Sequence, residues 1–346
     1  MGISIAPVRR LTATAFLLAC SAAFARVEAA DFYQGKTISN IVGFGPGGGY
    51  DLYARLVAKH LGNHIPGNPG FVVRNMPGAG SRIAGNFLSN VAAQDGTVLG
   101  FLSSAIVLDQ LLDPSERRFD TRNLIWIGRL NDIAQVAVVW QTAPALTVEQ
   151  AKEKQIVLAA SSPLNLSATL PLAFNRMVGT KFKVVPGYTT DMVLAMQRGE
   201  TDGVGGTSWE PLKVTYASLL KDNLIRMLYM MGIERHPDLP DVPSLPEFGR
   251  TEEDKQVFRL LGSISDIGRS IVAGPGTPMD RVEMLRGAVA EMIKDPAFIA
   301  DAAQLQLGIN YLPGPALQRM VDQLTGSPSV VIEKARAVTA PQVGSK

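Results

Sequence analysis

A glycine-rich run at residues 43–51 constrains the fold of this chain more than any other stretch. It reads Gly-Phe-Gly-Pro-Gly-Gly-Gly-Tyr-Asp and follows residues 37–42, whose β-branched side chains predict a buried strand. Leucines at 52, 56 and 61 then predict a helix with one apolar face, with Asp51 as its cap. Such a turn places several backbone N–H groups beside the positive end of a helix dipole. The run therefore predicts a site for an anion.

A second turn of the same kind follows within fifty residues. Residues 71–75 predict a strand that leads into Met-Pro-Gly-Ala-Gly at 76–80, and Ser81 is placed to cap the next helix. A third predicted strand, 97–102, ends at two serines. Because the carboxyl ends of parallel strands lie along one edge of a sheet, these turns are expected to face one cleft. The alternation of strands and helices predicts an α/β fold.

The chain length, the net charge and the first 25 residues indicate which class of protein this is. A chain of 346 residues is long enough for two domains. Residues 1–25 resemble a signal peptide, with two arginines, a short apolar stretch and a small-residue cleavage site, so we predict export to the periplasm. A lipoprotein signal ending before Cys20 is the alternative. Removing 1–25 takes away two of 33 basic side chains and none of the 31 acidic ones, and the resulting neutral chain argues against nucleic-acid binding.

The second half of the chain predicts a second α/β lobe. Strands are predicted at 133–140, 156–160 and 224–231, with a short helix at 145–152. We assign residues 31–135 and 257–346 to the first lobe and 136–256 to the second.

Several segments in order along the chain resemble one family. They are residues 45–51, 74–80, 95–99, 184–188, 196–202, 235–249 and 273–278. They resemble the periplasmic substrate-binding receptors of tripartite tricarboxylate transporters, the Bug family. The resemblance implies a two-lobed periplasmic binding protein of type II, the Venus-flytrap fold, with a mixed sheet in each lobe. It also implies capture of a small carboxylate in the interlobe cleft, delivery to integral-membrane transporter subunits, and neither catalysis nor a cofactor. A monomer is expected.

In that family the first two glycine-rich loops hold a ligand carboxylate, partly through ordered waters. The chain departs from the family at 161–165, where Ser-Ser-Pro-Leu-Asn replaces a common Gly-x-Gly-Ser run followed by His, and at Tyr50, where threonine is frequent. Trp209 could stack on an aromatic acid, and Glu210 could meet a cationic group or lie in solvent. Asp202 could form a turn or bind the ligand. The predicted backbone donors are Gly47, Gly48, Gly49, Ala79, Gly80 and Ser81. The predicted side-chain contacts are Tyr50, Ser103, Ser104, Ser161, Ser162, Tyr188, Asp202 and Trp209.

Other interpretations stay open or are weak. Residues 43–48 match the dinucleotide pattern G-x-G-x-x-G, but the next strand ends in Arg-Asn rather than in an acid for the ribose. The glycines could also simply form a tight turn. His60 and His64 are four residues apart, but Gly-Asn between them breaks the helix, so we predict no metal site. A ligand sensor on the same fold is an alternative function. An exported hydrolase is disfavoured, since there is no Gly-x-Ser-x-Gly motif. The identity of the carboxylate stays open.

Overall fold

The computed structural model describes residues 32–113, 118–163, 165–188 and 192–340. The predicted signal peptide and Cys20 lie outside these residues. Contacts within the described chain divide it into two compact units. The first contains residues 32–102, 123–128 and 271–315, and the second contains 103–122, 129–270 and 316–340.

The two units are built from strands and helices that alternate along most of the chain. The described strands are β1 (Thr37–Val42), β2 (Gly70–Asn75), β3 (Val98–Phe101), β4 (Ile125–Asn131), β5 (Gln135–Trp140), β6 (Ile156–Ala160), β7 (Phe182–Pro186), β8 (Gly203–Ser208), β9 (Ile225–Met230), β10 (Arg269–Ala273) and β11 (Leu312–Pro313). The described α-helices are α1 (Gly49–His60), α2 (Arg82–Asn90), α3 (Ile106–Leu112), α4 (Val148–Glu153), α5 (Leu166–Met177), α6 (Met192–Gln197), α7 (Trp209–Thr215), α8 (Ala217–Lys221), α9 (Glu252–Ile267), α10 (Met279–Met292), α11 (Pro296–Gln304), α12 (Gly314–Thr325) and α13 (Ser329–Thr339). In the part of the chain that the structure describes, no helix is both long enough and apolar enough to cross a membrane.

A six-stranded mixed sheet, in the order β11-β4-β10-β3-β1-β2, organises the first unit. β1 pairs in parallel with β2 on one side and with β3 on the other, whereas β10 runs antiparallel to β3. Ile38, Ile41 and Val42 are buried, as the β-branched pattern predicts. Asn40 is also buried, and its side-chain amide donates to the Ala54 carbonyl of α1 at 3.1 Å. This hydrogen bond pairs the Asn40 amide nitrogen in the core and attaches α1 to the strand before it.

A five-stranded mixed sheet, in the order β7-β6-β8-β5-β9, organises the second unit. β6 pairs in parallel with β7 and with β8, and β5 runs antiparallel to β8 and to β9. On this sheet the ring of Phe174 stacks on that of Tyr229 at a centroid distance of 4.2 Å. The α/β fold with a mixed sheet in each part, predicted from the sequence, is confirmed.

The predicted lobe boundaries and the contact-based units differ at the carboxyl-terminal end. We expected 31–135 and 257–346 in the first lobe, but α9 and residues 316–340 are grouped with the second unit, as are residues 103–122 and 129–135. The reason is packing among helices, since α9 contacts α3 and α13. Lys334 of α13 also pairs with Glu253 at 2.6 Å and Asp254 at 2.8 Å.

Glycine in β8 allows α5 to pack directly on the sheet. A Cβ at Gly205 would lie 2.1 Å from the Ser167 carbonyl oxygen and 3.0 Å from the Pro171 ring. We therefore expect Gly205→Ala to lose roughly 1–3 kcal/mol of unfolding free energy, because the helix must move away from the strand. Urea unfolding measures this difference.

The control is Gly287→Ala on the exposed side of α10, where a Cβ would meet nothing within 4 Å. This variant is expected to gain up to about 1 kcal/mol, since alanine favours helix over glycine. Equal stability of the two variants would show that the contact between α5 and β8 is not tight.

Candidate functional site

The two glycine-rich loops lie next to each other at the carboxyl edge of the first sheet. Val42, the last residue of β1, is in register with Asn75, the last residue of β2. The Met76 N–H donates to the Val42 carbonyl at 2.7 Å, which continues the pairing into the loops. Residues 45–48 of one loop and 79–80 of the other are exposed. The predicted placement of both turns at one sheet edge is confirmed.

Ser81 ties the second loop to the first. It is buried, and its hydroxyl donates to the Gly43 carbonyl at 3.1 Å. A Cβ at residue 43 would lie 2.1 Å from the Ser81 oxygen, so only glycine fits there without moving the loop. Ser81 occupies the N-cap position of α2, but its side chain does not cap the helix. The Ser81 hydroxyl therefore has a structural partner.

The backbone of the second loop is left-handed over consecutive residues. The φ angles are +46° at Ala79, +61° at Gly80 and +72° at Ser81. Such a conformation costs about 1–2 kcal/mol at each residue other than glycine, so the surrounding contacts must hold it. Successive residues of one helical turn point their N–H groups the same way, and such turns form concave anion sites. The role of residues 79–81 as backbone donors to a ligand stays a prediction.

A hydrogen-bonded network of three side chains supports the first loop. Asp51 accepts the Gly47 N–H and the Arg55 Nε–H through Oδ2, each at 2.8 Å, and the Asn75 amide through Oδ1 at 2.8 Å. The same amide donates to the Phe44 carbonyl at 3.0 Å. Burial on its own would raise the pKa of Asp51, but hydrogen bonds from Arg55, Gly47 and Asn75 outweigh it and lower the pKa to about 2. Asp51 is therefore an anion at neutral pH.

This network corrects three predictions about the first loop. Asp51 lies inside the first turn of α1, and Gly48 occupies the N-cap position instead. The Gly47 N–H donates to Asp51, so it is not presented to a ligand in this structure. Tyr50 is buried and stacks on Phe44 at a centroid distance of 4.5 Å, so its ring packs within the loop. Gly48 and Gly49 begin α1, where N–H groups have no acceptor within the helix.

The predicted serines of the second unit lie at the beginnings of two helices. Ser103 accepts the Ala105 N–H through its hydroxyl at 3.3 Å just before α3, and Ser104 is buried. Ser161 follows β6, and its N–H donates to the Ser167 hydroxyl of α5 at 3.1 Å, whereas Ser162 is exposed. The first turns of α3 and α5 line a cavity of about 460 Å³. The residues that line it include Ala105, Leu108, Asp109, Asn165, Leu166 and Thr169.

Asp202 lies at the wrong edge of the second sheet for the predicted role. It precedes β8, which runs parallel to β6, whereas Ser161 and Tyr188 follow the carboxyl ends of β6 and β7. Its carboxylate accepts the Val157 N–H at 2.8 Å, and its own N–H donates to the Val157 carbonyl at 2.9 Å. Asp202 therefore links the start of β8 to β6, which is neither the predicted ligand contact nor a turn hydrogen bond.

Trp209 belongs to the hydrophobic core of the second unit. Its side chain is 6% exposed and packs in a cluster with Val136 and Leu212. The indole N–H donates to Asp238 at 3.1 Å. The predicted stacking of Trp209 on a ligand is therefore not supported. The neighbouring Glu210 is half-buried, and burial raises the pKa of its carboxyl.

The two histidines of the first unit pair with different carboxylates. His60 contacts Asp301 at 2.6 Å and His64 contacts Asp295 at 3.2 Å. Within the described residues, no group of three or more histidine, cysteine or acidic side chains is placed to hold a metal ion.

Sequence analysis missed Arg55, Asn75 and Phe44. The spacing of four residues between Asp51 and Arg55, typical of an ion pair on a helix, was the available signal for Arg55. Asn75 stands at the end of a strand and gives no such signal, because its partners come from another part of the chain.

Two curated relatives match nearly the whole chain, although no protein-family model matches it. The protein BugT of Bordetella pertussis is 24% identical over 335 residues, which cover 94% of this chain and 97% of that protein. A UPF0065 protein of Pseudomonas sp. is 24% identical over 316 residues, 88% of each chain. The chain is a homologue of the Bug proteins. The resemblance seen in its loops is thereby confirmed.

Solved structures share the fold of this Bug homologue. A TctC solute-binding protein from Polaromonas superposes with a TM-score of 0.68 at 22% identity, covering 87% of this chain and 99% of its own. MatC from Rhodopseudomonas palustris with bound malate gives 0.55 at 19% identity and 88% of this chain, 99% of its own. A second R. palustris protein, Rpa4515 with adipate, gives 0.58 at 18% identity and 87% of this chain, 97% of its own. The predicted fold, that of a periplasmic binding protein, is confirmed.

Asp51 makes a testable contribution to the stability of this Bug homologue. Asp51→Asn should lose about 2 kcal/mol of unfolding free energy at pH 7, because the folded-state pKa lies well below the usual value of an aspartate. A lowered pKa stabilises the fold above the unfolded-state pKa, and this contribution disappears as pH falls toward about 2. The difference between the variants should therefore narrow below pH 4, as measured by urea unfolding at several pH values.

The control is Asp322→Asn, which makes the same chemical change at an exposed position of α12. It should leave unfolding nearly unchanged across the range. A loss at Asp51 that does not vary with pH would assign its contribution to packing rather than to charge.

Proposed function

We propose that this chain is a periplasmic solute-binding receptor that binds a small carboxylate and passes it to a membrane transporter of the tripartite tricarboxylate type. The observation that carries the proposal is the pair of adjacent glycine-rich loops, whose exposed main chain lies at the ends of β1 and β2. Homology to Bug proteins along nearly the whole chain supports it. So do the solved structures of similar fold, among them a TctC solute-binding protein and proteins with bound malate and adipate.

The loops suit a carboxylate for chemical reasons. A carboxylate accepts several hydrogen bonds at once, and N–H groups at the start of a helix carry partial positive charge. Gly48 and Gly49 stand at the start of α1, and Ala79 and Gly80 form the exposed part of the second loop. The first loop lacks the Lys-Ser/Thr pair that follows the glycines of a phosphate-binding P-loop. The donors that we propose are therefore the N–H groups of these four residues.

The other predicted contacts fall into two groups according to where the structure places them. Ser103, Ser104, Ser161, Ser162 and Tyr188 stay proposed ligand contacts. Tyr50, Asp202 and Trp209 are left out as side-chain contacts, because each packs or bonds within its own unit. Ser81, predicted as a backbone donor, is left out because it is buried.

We propose that the chain binds its ligand without catalysing a reaction. The matched proteins are solute-binding proteins. We propose that the ligand is bound and released unchanged, that the mature chain acts in the periplasm as a monomer, and that its partner is the membrane part of a transporter.

Gly48 provides the direct test of the binding site. Gly48→Val is expected to abolish carboxylate binding and to leave the fold intact. The backbone there is extended, with φ −81°, and a Cβ meets nothing within 4 Å, so a valine fits without moving the loop. We expect its side chain to occupy the space that the ligand needs beside the Gly48 and Gly49 N–H groups. Calorimetry and a thermal-shift screen against mono-, di- and tricarboxylates measure binding, and circular dichroism checks the fold.

The matched control is Gly45→Val in the same loop, where a Cβ also meets nothing within 4 Å. It is expected to bind nearly as the wild type does. Unchanged affinity in Gly48→Val would contradict the assignment of the loop as the site.

A second test separates a receptor from an enzyme. NMR spectra of a bound carboxylate, recorded before and after long incubation with the protein, should be identical. Conversion of the ligand that depends on the protein would overturn the proposed role.

A further inference from the structure

We infer that Arg55 is a positioning and charge-balancing residue of the carboxylate site, whose guanidinium offsets the negative charge of Asp51 beside the ligand donors. The inference rests on the proposed function, since the offset matters only when the ligand is an anion.

The Asp51 carboxylate places a fixed negative charge within the candidate site. Asp51 is the third residue of α1. Gly48 is the N-cap of this helix, and Gly49 is its first residue. The Asp51 side chain is 2% exposed and is held by three hydrogen-bonded partners, so it cannot turn away from the loop. A ligand carboxylate bound at the start of α1 would therefore lie near another carboxylate.

The first glycine-rich loop depends on the Asp51 carboxylate for its shape. Asp51 holds the Gly47 N–H and the Asn75 amide, and Asn75 in turn holds the Phe44 carbonyl. These hydrogen bonds fix the path of the loop between β1 and α1. The acid that shapes the loop is thus also the group that repels an anionic ligand.

Arg55 supplies the positive charge that offsets Asp51. Arg55 lies one turn further along α1 and pairs with Asp51 at 2.8 Å. The Arg55 side chain is 51% exposed and the Asp51 side chain is 2% exposed, so the guanidinium covers a buried carboxylate from the solvent side. At 3.4 Å from Asn75 Oδ1, the guanidinium also lies beside the second arm of the network. Its charge makes the network close to neutral, and the partial charge of the N–H groups can then attract a carboxylate.

The experiment compares charge with geometry at residue 55. The probes are adipate and malate, measured by calorimetry at low salt on the full mature chain. Arg55→Gln should weaken binding roughly tenfold, because one uncompensated charge near the ligand has an effect of this order at intermediate dielectric. Arg55→Lys should stay close to wild type, since it keeps the charge, and the loss in Arg55→Gln should shrink as salt is raised.

Two controls test whether the effect is electrostatic. Lys59→Gln removes a charge from the same helix, but from a residue that pairs with Asp301, and should leave binding unchanged. A neutral diamide analogue of adipate should show no difference between wild type and Arg55→Gln.

Other outcomes would overturn the inference. If Arg55→Lys loses as much affinity as Arg55→Gln, or if the loss in Arg55→Gln does not shrink as salt is raised, the residue acts through hydrogen-bond geometry and not through charge. If wild type binds a carboxylate and Arg55→Gln binds it equally well, the inference fails while the proposed function stands. If wild type binds none of the mono-, di- and tricarboxylates of the screen, the proposed function fails and this inference fails with it.

Discussion

Parallel pairing of β1 with β2 is the constraint on which the candidate site depends. The register of Val42 with Asn75 brings both glycine-rich loops to the same sheet edge, where side chains of one loop can reach the main chain of the other. A slip of one residue would exchange the faces of β1 and disrupt the packing of Ile38, Ile41 and Val42, which are buried on the two faces of the strand. The burial that fixes the strand thus also fixes the position of the loops.

The loops combine an exposed main chain with buried supports. Exposed glycines leave N–H groups accessible, but flexible glycine would be costly to order when a ligand binds. Ser81, Asn75 and Asp51 remove that cost in advance, because each is hydrogen-bonded to the loop backbone before any ligand arrives. The left-handed stretch at 79–81 is held in the same way. Folding therefore fixes the shape of the site before a ligand binds.

The strands and the loop positions could be predicted from sequence because both are local signals. Runs of apolar and β-branched residues predict β1 and β6 at their observed bounds. Asp202 and Trp209 could not be placed in this way. Asp202 precedes a strand, and Trp209 has a partner 29 residues away at Asp238. The grouping of α9 was missed because an amphipathic helix has the same pattern whichever sheet it covers.

Recognition through the main chain also explains how a common fold tolerates sequence divergence. Backbone N–H groups are present whatever side chains surround them, so the loops need glycine, a supporting acid and little else. Under the proposed function, the grip on a carboxylate can therefore be shared among proteins only 24% identical. Discrimination among carboxylates would then fall to side chains, because backbone N–H groups are the same in every residue that carries one.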